Sequence, residues 1–120
     1  MIYLEEQGMS QTSILDTVKG SVLGSSEDNS FDSELLIYIN GALSVLNQVG
    51  IGTTIYVRDA STLWGSYFKE TEDEHIRSLA VQYVFLKTKV MFDPPAPATL
   101  NVMITHLEEL IFRLHVSISM

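Results

Sequence analysis

The chain has 120 residues, 46% of them apolar and 18% charged, with three prolines, seven glycines and no cysteine. That supports one compact domain over 1–120 and leaves no room for a second. Without cysteine there are no disulfide frameworks, thiolate metal sites or thiol catalysis, which suits folding in a reducing cytoplasm. Fifteen carboxylates against seven basic residues give a net charge of −8, which disfavours gripping nucleic acid, because phosphate contacts need clustered lysine and arginine.

The start, Met1-Ile2-Tyr3-Leu4-Glu5-Glu6, lacks the basic opening and apolar stretch of a signal peptide, and residues 1–9 are expected to be a flexible segment. Apolar runs such as Leu35–Ile39 and Val90–Phe92 are too short to span a membrane. Ile14, Leu15, Val18 and Val22 share one helical face, with Ser10 or Thr12 as the cap and Gly24 just past the end. The polar run Ser25-Ser26-Glu27-Asp28-Asn29-Ser30 reads as an exposed loop. A second helix starts at Asp32, whose carboxylate can accept from first-turn amides, with Phe31 stapled onto Leu36. Its apolar stripe, Leu35, Leu36, Ile39, Ala42, Leu43, Leu46 and Val49, keeps a 3.6 period until Gly50.

Between Gly50 and Lys69 the period fails, and a long loop with short extended pieces is expected around Ile55 and Val57. Within it, Ser61 to Phe68 can form one or two helical turns that seat Trp64, Tyr67 and Phe68 in the core. Thr71 and Glu74 have the spacing of a capping box, and Glu70, Glu72 and Asp73 crowd the positive end of a third long helix. That helix carries Ile76, Leu79, Ala80, Tyr83, Leu86 and Val90 inward and is expected to be the longest, ending at Pro94-Pro95. A stiff elbow over Asp93 to Thr99 leads to a last helix capped by Thr99. Its buried stripe is read as Leu100, Met103, Ile104, Leu107, Leu110 or Ile111, and Leu114. Beyond it Val116, Ile118 and Met120 alternate with serines, as in a strand without a partner. The fold expected is all-α: a small bundle of about four helices with a helical core over 13–114, a long loop between the second and third, and an extended tail over 115–120.

Catalytic signatures are lacking. His75, His106 and His115 stand far apart without a metal-ligand spacing, and the acidic run at 70–74 lacks the alternation and glycine turn of a calcium loop. Glu108 and Glu109 point about 100° apart on a helix and form no carboxylate dyad. No phosphate loop, nucleophile elbow or Ser/His/Asp order is present. No catalytic residue, cofactor or metal is therefore expected, and the chain is read as a non-enzyme.

The stretches Phe31-Asp32-Ser33-Glu34-Leu35, Ile39-Asn40-Gly41-Ala42, Leu46-Asn47-Gln48-Val49-Gly50-Ile51-Gly52, Trp64, Lys87 through Pro95, and Glu109 through Leu114 together resemble the head-tail connector, or adaptor, proteins of long-tailed bacteriophages. The resemblance runs over about residues 13–116, and the helix ending in Phe92-Asp93-Pro94-Pro95 is its most specific part. It implies small helical subunits in a homo-oligomeric ring, a dodecamer, bound below the portal protein at the neck of the virion after assembly in the host cytoplasm. Such a ring extends the channel through which double-stranded DNA passes unbound and joins the head to stopper or tail-completion proteins.

Three surfaces are expected within that frame. Leu114, Val116, Ile118 and Met120 bind the portal by adding to a strand edge. Thr53, Thr54, Tyr56 and Trp64, in the long loop, face a tail-side partner or a neighbouring subunit. Glu70, Glu72 and Asp73 form an acidic wall that repels passing DNA. The same composition also suits a small acidic cytoplasmic regulatory or inhibitor module, which would be a monomer or dimer with a soluble partner. A metal enzyme built on Glu74, His75 and His106 requires the fold to bring those positions together.

Overall fold

Ser13 opens α1 (Ile14–Leu23) by accepting from the Asp16 amide at 3.0 Å, and Gly24, at φ 82°, closes it by donating to the Gly20 carbonyl. The expected caps Ser10 and Thr12 are not used. Thr12 is engaged elsewhere: its hydroxyl donates to the Met9 carbonyl, and its own carbonyl accepts the Trp64 amide beside the antiparallel bridge between Ser13 and Leu63. The computed structural model describes residues 9–119. The segment expected over 1–9 therefore lies, except for Met9, outside the described residues, as does Met120.

The loop after α1 is exposed as its composition requires, yet it is anchored. Lys19, buried on α1, directs its ammonium to Asn29 Oδ1 at 2.7 Å and to the Asp32 carboxylate at 2.9 Å. Asp32 thus begins α2 (Asp32–Gln48) as the partner of a buried cation, and the capping position falls to Phe31, which offers no side-chain bond. The Phe31 ring meets Phe92 edge-on, with centroids 5.1 Å apart. A buried ammonium must keep its partners, since an unpaired buried charge is costly. Lys19→Met keeps the apolar stem and leaves Asp32 partly hydrated; it is expected to lower unfolding free energy by about 1–2 kcal/mol in a urea titration. An unchanged midpoint would contradict the ion pair.

Past Gly50, which has a φ of 93°, the chain turns back along α2 and is held there by side chains. Asn47 Nδ2 donates to the Ile51 and Thr53 carbonyls at 2.9 and 3.2 Å. Two turns earlier, Asn40 brackets Val57, accepting its amide at 2.8 Å and donating to its carbonyl at 3.0 Å. Backbone groups of a loop packed on a core must find partners, and here two asparagines on one face of α2 supply them. Within the described residues the expected extended pieces around Ile55 and Val57 form no strand.

The helical turn α3 (Trp64–Tyr67) seats its aromatics in the core as expected, with Trp64, Tyr67 and Phe68 all buried. The Trp64 indole N–H donates to Thr17 Oγ1 at 2.8 Å, and its ring stacks on Phe68 with centroids 5.7 Å apart. The Tyr67 hydroxyl lies between the Leu43 and Ile51 carbonyls, at 3.0 and 3.1 Å, and burial pushes this phenol well above its ordinary range.

Helix α4 (Glu74–Phe92) starts at an N-cap one residue before it, Asp73, which accepts from the His75 and Ile76 amides. Thr71, expected to cap it, instead accepts the Gly52 amide through Oγ1 and the Arg77 Nε–H through its carbonyl, tying the loop to the helix. After the prolines, α5 (Pro97–Ser119) begins two residues ahead of Thr99, with proline in the first turn, where its missing N–H costs nothing. At 23 residues it exceeds the 19 of α4, which is therefore not the longest. The difference arises at the far end, where the segment expected as a strand-like tail is helical through Ser119, whose hydroxyl donates to the His115 carbonyl at 2.9 Å. An isolated strand would leave its amides to water, whereas continuing α5 satisfies them locally.

Helix α4 is the hub: α2, α5 and α1 all pack on it, and α1 also packs on α2. The five helices lying wholly within the described residues enclose one hydrophobic core, and the fold is all-α. From α5 the core takes Leu107, Leu110 and Leu114, with Leu100, Met103 and Ile111 half-buried. Ile104, expected inside, is exposed.

Candidate interaction surfaces

The residues singled out in the sequence divide into buried and exposed groups. Leu114 is a core residue of α5 and presents no surface, while Val116 and Ile118 lie exposed on the last turn and a half of the same helix. Ile118 leans toward the end of α2, where its Cγ2 would be 3.4 Å from a Cβ at Gly50. The form expected for this end, an alternating strand, is replaced by a helix on which positions 116 and 118 point about 200° apart.

In the long loop, Trp64 leaves the set of surface residues because its whole side chain is buried. Thr53 is not a free tip: its amide donates to the Tyr67 carbonyl at 2.8 Å and its hydroxyl to the Ser66 carbonyl at 3.0 Å. What the loop does present is Thr54 and Tyr56, the latter with the Arg58 guanidinium 5.3 Å from its ring centroid. Further along, Asp59 accepts from the Ser61 amide and hydroxyl, and these bonds hold its carboxyl below the usual range.

Glu70 and Glu72 are exposed and make no ion pair among the described residues. Asp73 is exposed as well, but its carboxylate is committed to the first turn of α4. Of the three residues read as an acidic wall, two are therefore free charges and one is a structural cap. Among the described residues no group of three or more His, Asp or Glu side chains is arranged to hold a metal ion, so Glu74, His75 and His106 are not gathered into a site. His106 instead lies 3.4 Å from Glu109, one turn along α5. Among the described residues no helix is long and apolar enough to cross a membrane.

Two surfaces escaped the sequence reading. The outer face of α5 carries Val102 and Phe112, 69% and 66% exposed, in line with Thr105 and Glu109. The outer face of α2 carries Ile37, 67% exposed, followed by Gly41, Ser44 and Gln48. Both repeat at alternating three- and four-residue steps, so each helix has a second stripe opposite its core stripe. The sequence places these positions together only through the helical period, since small and polar residues separate the apolar ones. At the root of α2, Tyr38 donates to Glu34 at 2.9 Å, and this bond to a carboxylate raises the phenol's ionisation range.

The family model described as phage connector protein matches residues 14–120. No curated protein and no solved structure matches the chain.

Proposed function

We propose that this chain, which belongs to the phage connector protein family, is the adaptor of the phage neck: a ring of identical subunits below the portal that extends the DNA channel and receives the stopper or tail-completion protein. Family membership over nearly the whole chain carries this reading, and its coarse content is a structural connector role in the virion. An all-helical domain whose net charge is −8 suits a channel that duplex DNA must traverse without being held. Exposed large apolar side chains on the outer faces of two helices, Ile37 on α2 and Val102 and Phe112 on α5, suit a subunit whose flanks are covered after assembly.

In this reading the last turns of α5, with Val116 and Ile118, meet the portal as a helix rather than as an added strand, and Leu114 supports them from the core. Thr54 and Tyr56 face the tail side. Glu70 and Glu72 line the channel, with Asp73 holding the helix end behind them. Glu70→Lys with Glu72→Lys, leaving the Asp73 cap intact, is expected to assemble normally and to slow genome ejection measured by dye release; ejection at the parental rate would remove these residues from the channel.

Co-sedimentation with the portal ring of the same phage, with masses from light scattering, tests the whole reading. A stoichiometric shell of this chain on the portal is the expected result. A stable free monomer or dimer that ignores the portal would instead favour a small acidic regulatory module.

A further inference from the structure

Gly41 sits in the middle of α2, where glycine is disfavoured relative to alanine. A Cβ built there meets nothing within 4 Å, and the backbone is ordinary helix, so nothing inside the subunit requires the glycine. Beside it stand the small Ser44 and the exposed Ile37, and the whole outer face of this 17-residue helix carries one charge, Glu34. A solvated helix face is ordinarily rich in charge. The outer face of α5 has the converse relief: Phe112 and Val102 project, with Arg113 beside Phe112. Because α2 and α5 each pack on α4 and hardly on each other, these two exposed faces do not cover one another within a subunit.

We propose that the outer face of α5 docks on the outer face of α2 of a second copy of this chain, the Phe112 ring lying over Gly41 where the missing side chain lets the helices approach closely. The contact runs antiparallel, with Arg113 toward Glu34 and Glu109 toward Ser44. Two observations make the occupant another copy. A chain of net charge −8 associates with itself most easily through charge-poor surface, and the α2 face, with Glu34 alone, is such a surface. At one end of the contact the charges are complementary: Glu34, which accepts a bond from Tyr38, and Arg113 each lack an ion-pair partner among the described residues. One face meeting a different face is a heterologous contact, which closes into a ring when the rotation between copies divides a full turn. The inference rests on the ring reading and adds which surfaces build it.

The absence of cysteine makes cross-linking clean. Ser44→Cys and Glu109→Cys chains, mixed under mild oxidation at the highest soluble concentration, are expected to give a mixed covalent dimer, with neither chain linking to itself. Adding Gly41→Leu to the Ser44→Cys chain should reduce that dimer more than ten-fold while leaving the melting temperature of the dilute subunit unchanged or higher. Self-linking of Ser44→Cys chains would mean a twofold contact and overturn the proposal. No mixed dimer, while the parental chain still forms rings alone or on the portal, would overturn the faces and leave the ring standing. No cross-link together with a monomeric parent in both settings would overturn both.

Discussion

One methyl group added at position 52 is expected to destabilise the subunit by about 2–5 kcal/mol, the sum of forcing an L-residue into left-handed backbone and of overpacking a core. Gly52 has a φ of 78°, and a Cβ there would fall into the ring of Tyr67. That ring cannot retreat easily. Its hydroxyl is fixed between the Leu43 and Ile51 carbonyls and takes a further bond from Asn47 at 3.3 Å. The matched control is Gly24→Ala: the backbone there is also left-handed, at φ 82°, but a Cβ meets nothing within 4 Å. Urea unfolding followed by circular dichroism should place Gly24→Ala between the parent and Gly52→Ala. Equal losses at the two sites would show that the Tyr67 ring does not press on Gly52.

Trp64→Ala should cost about 3–5 kcal/mol, the range for emptying a large aromatic site. The indole is fully buried between Phe68 and Phe85 and reaches 47 residues back in sequence to Thr17. Thr17 keeps its bonds to the Ser13 and Ile14 carbonyls when the indole is gone, so the loss comes from the cavity rather than from an orphaned hydroxyl. Trp64→Phe retains most of the volume and removes the N–H, for an expected cost of about 1 kcal/mol. A thermal melt of the two variants separates packing from hydrogen bonding. A Trp64→Ala protein as stable as Trp64→Phe would place this side chain outside the core.

The helices were legible because their information is local. The apolar period of α2, the Gly24 and Gly50 stops and the double proline after α4 each act within a turn or two of where they stand. Cap assignments were less legible because several hydroxyl and carboxylate groups compete at each start, and tertiary bonds decide among them. Thr71 is diverted to Gly52, and Asp32 to Lys19 on another helix. The alternation from Val116 to Met120 suggested a strand, but alternation describes a strand only where a partner edge exists, and α5 simply continues. Among the site residues, Trp64 shows the limit most clearly. Its place in a long loop suits an anchor and its apolar ring suits the core, and burial settles it as core. The outer faces of α2 and α5 are less legible, because their few large apolar residues, Ile37, Val102 and Phe112, stand among small and polar ones and form no hydrophobic period of their own.

The chain contains a single tryptophan, and it stands where the bridge into α1, the long loop and α4 meet. Its fluorescence therefore arises from one environment: an apolar niche with the indole N–H bonded to a hydroxyl. In any assembly of identical copies every subunit emits the same signal. Contacts made through outer helix faces leave that emission where it is, while an event that reorganises the interior of the subunits shifts it to longer wavelength. Joining and internal rearrangement can thus be followed separately, in assemblies of this chain alone and without a label.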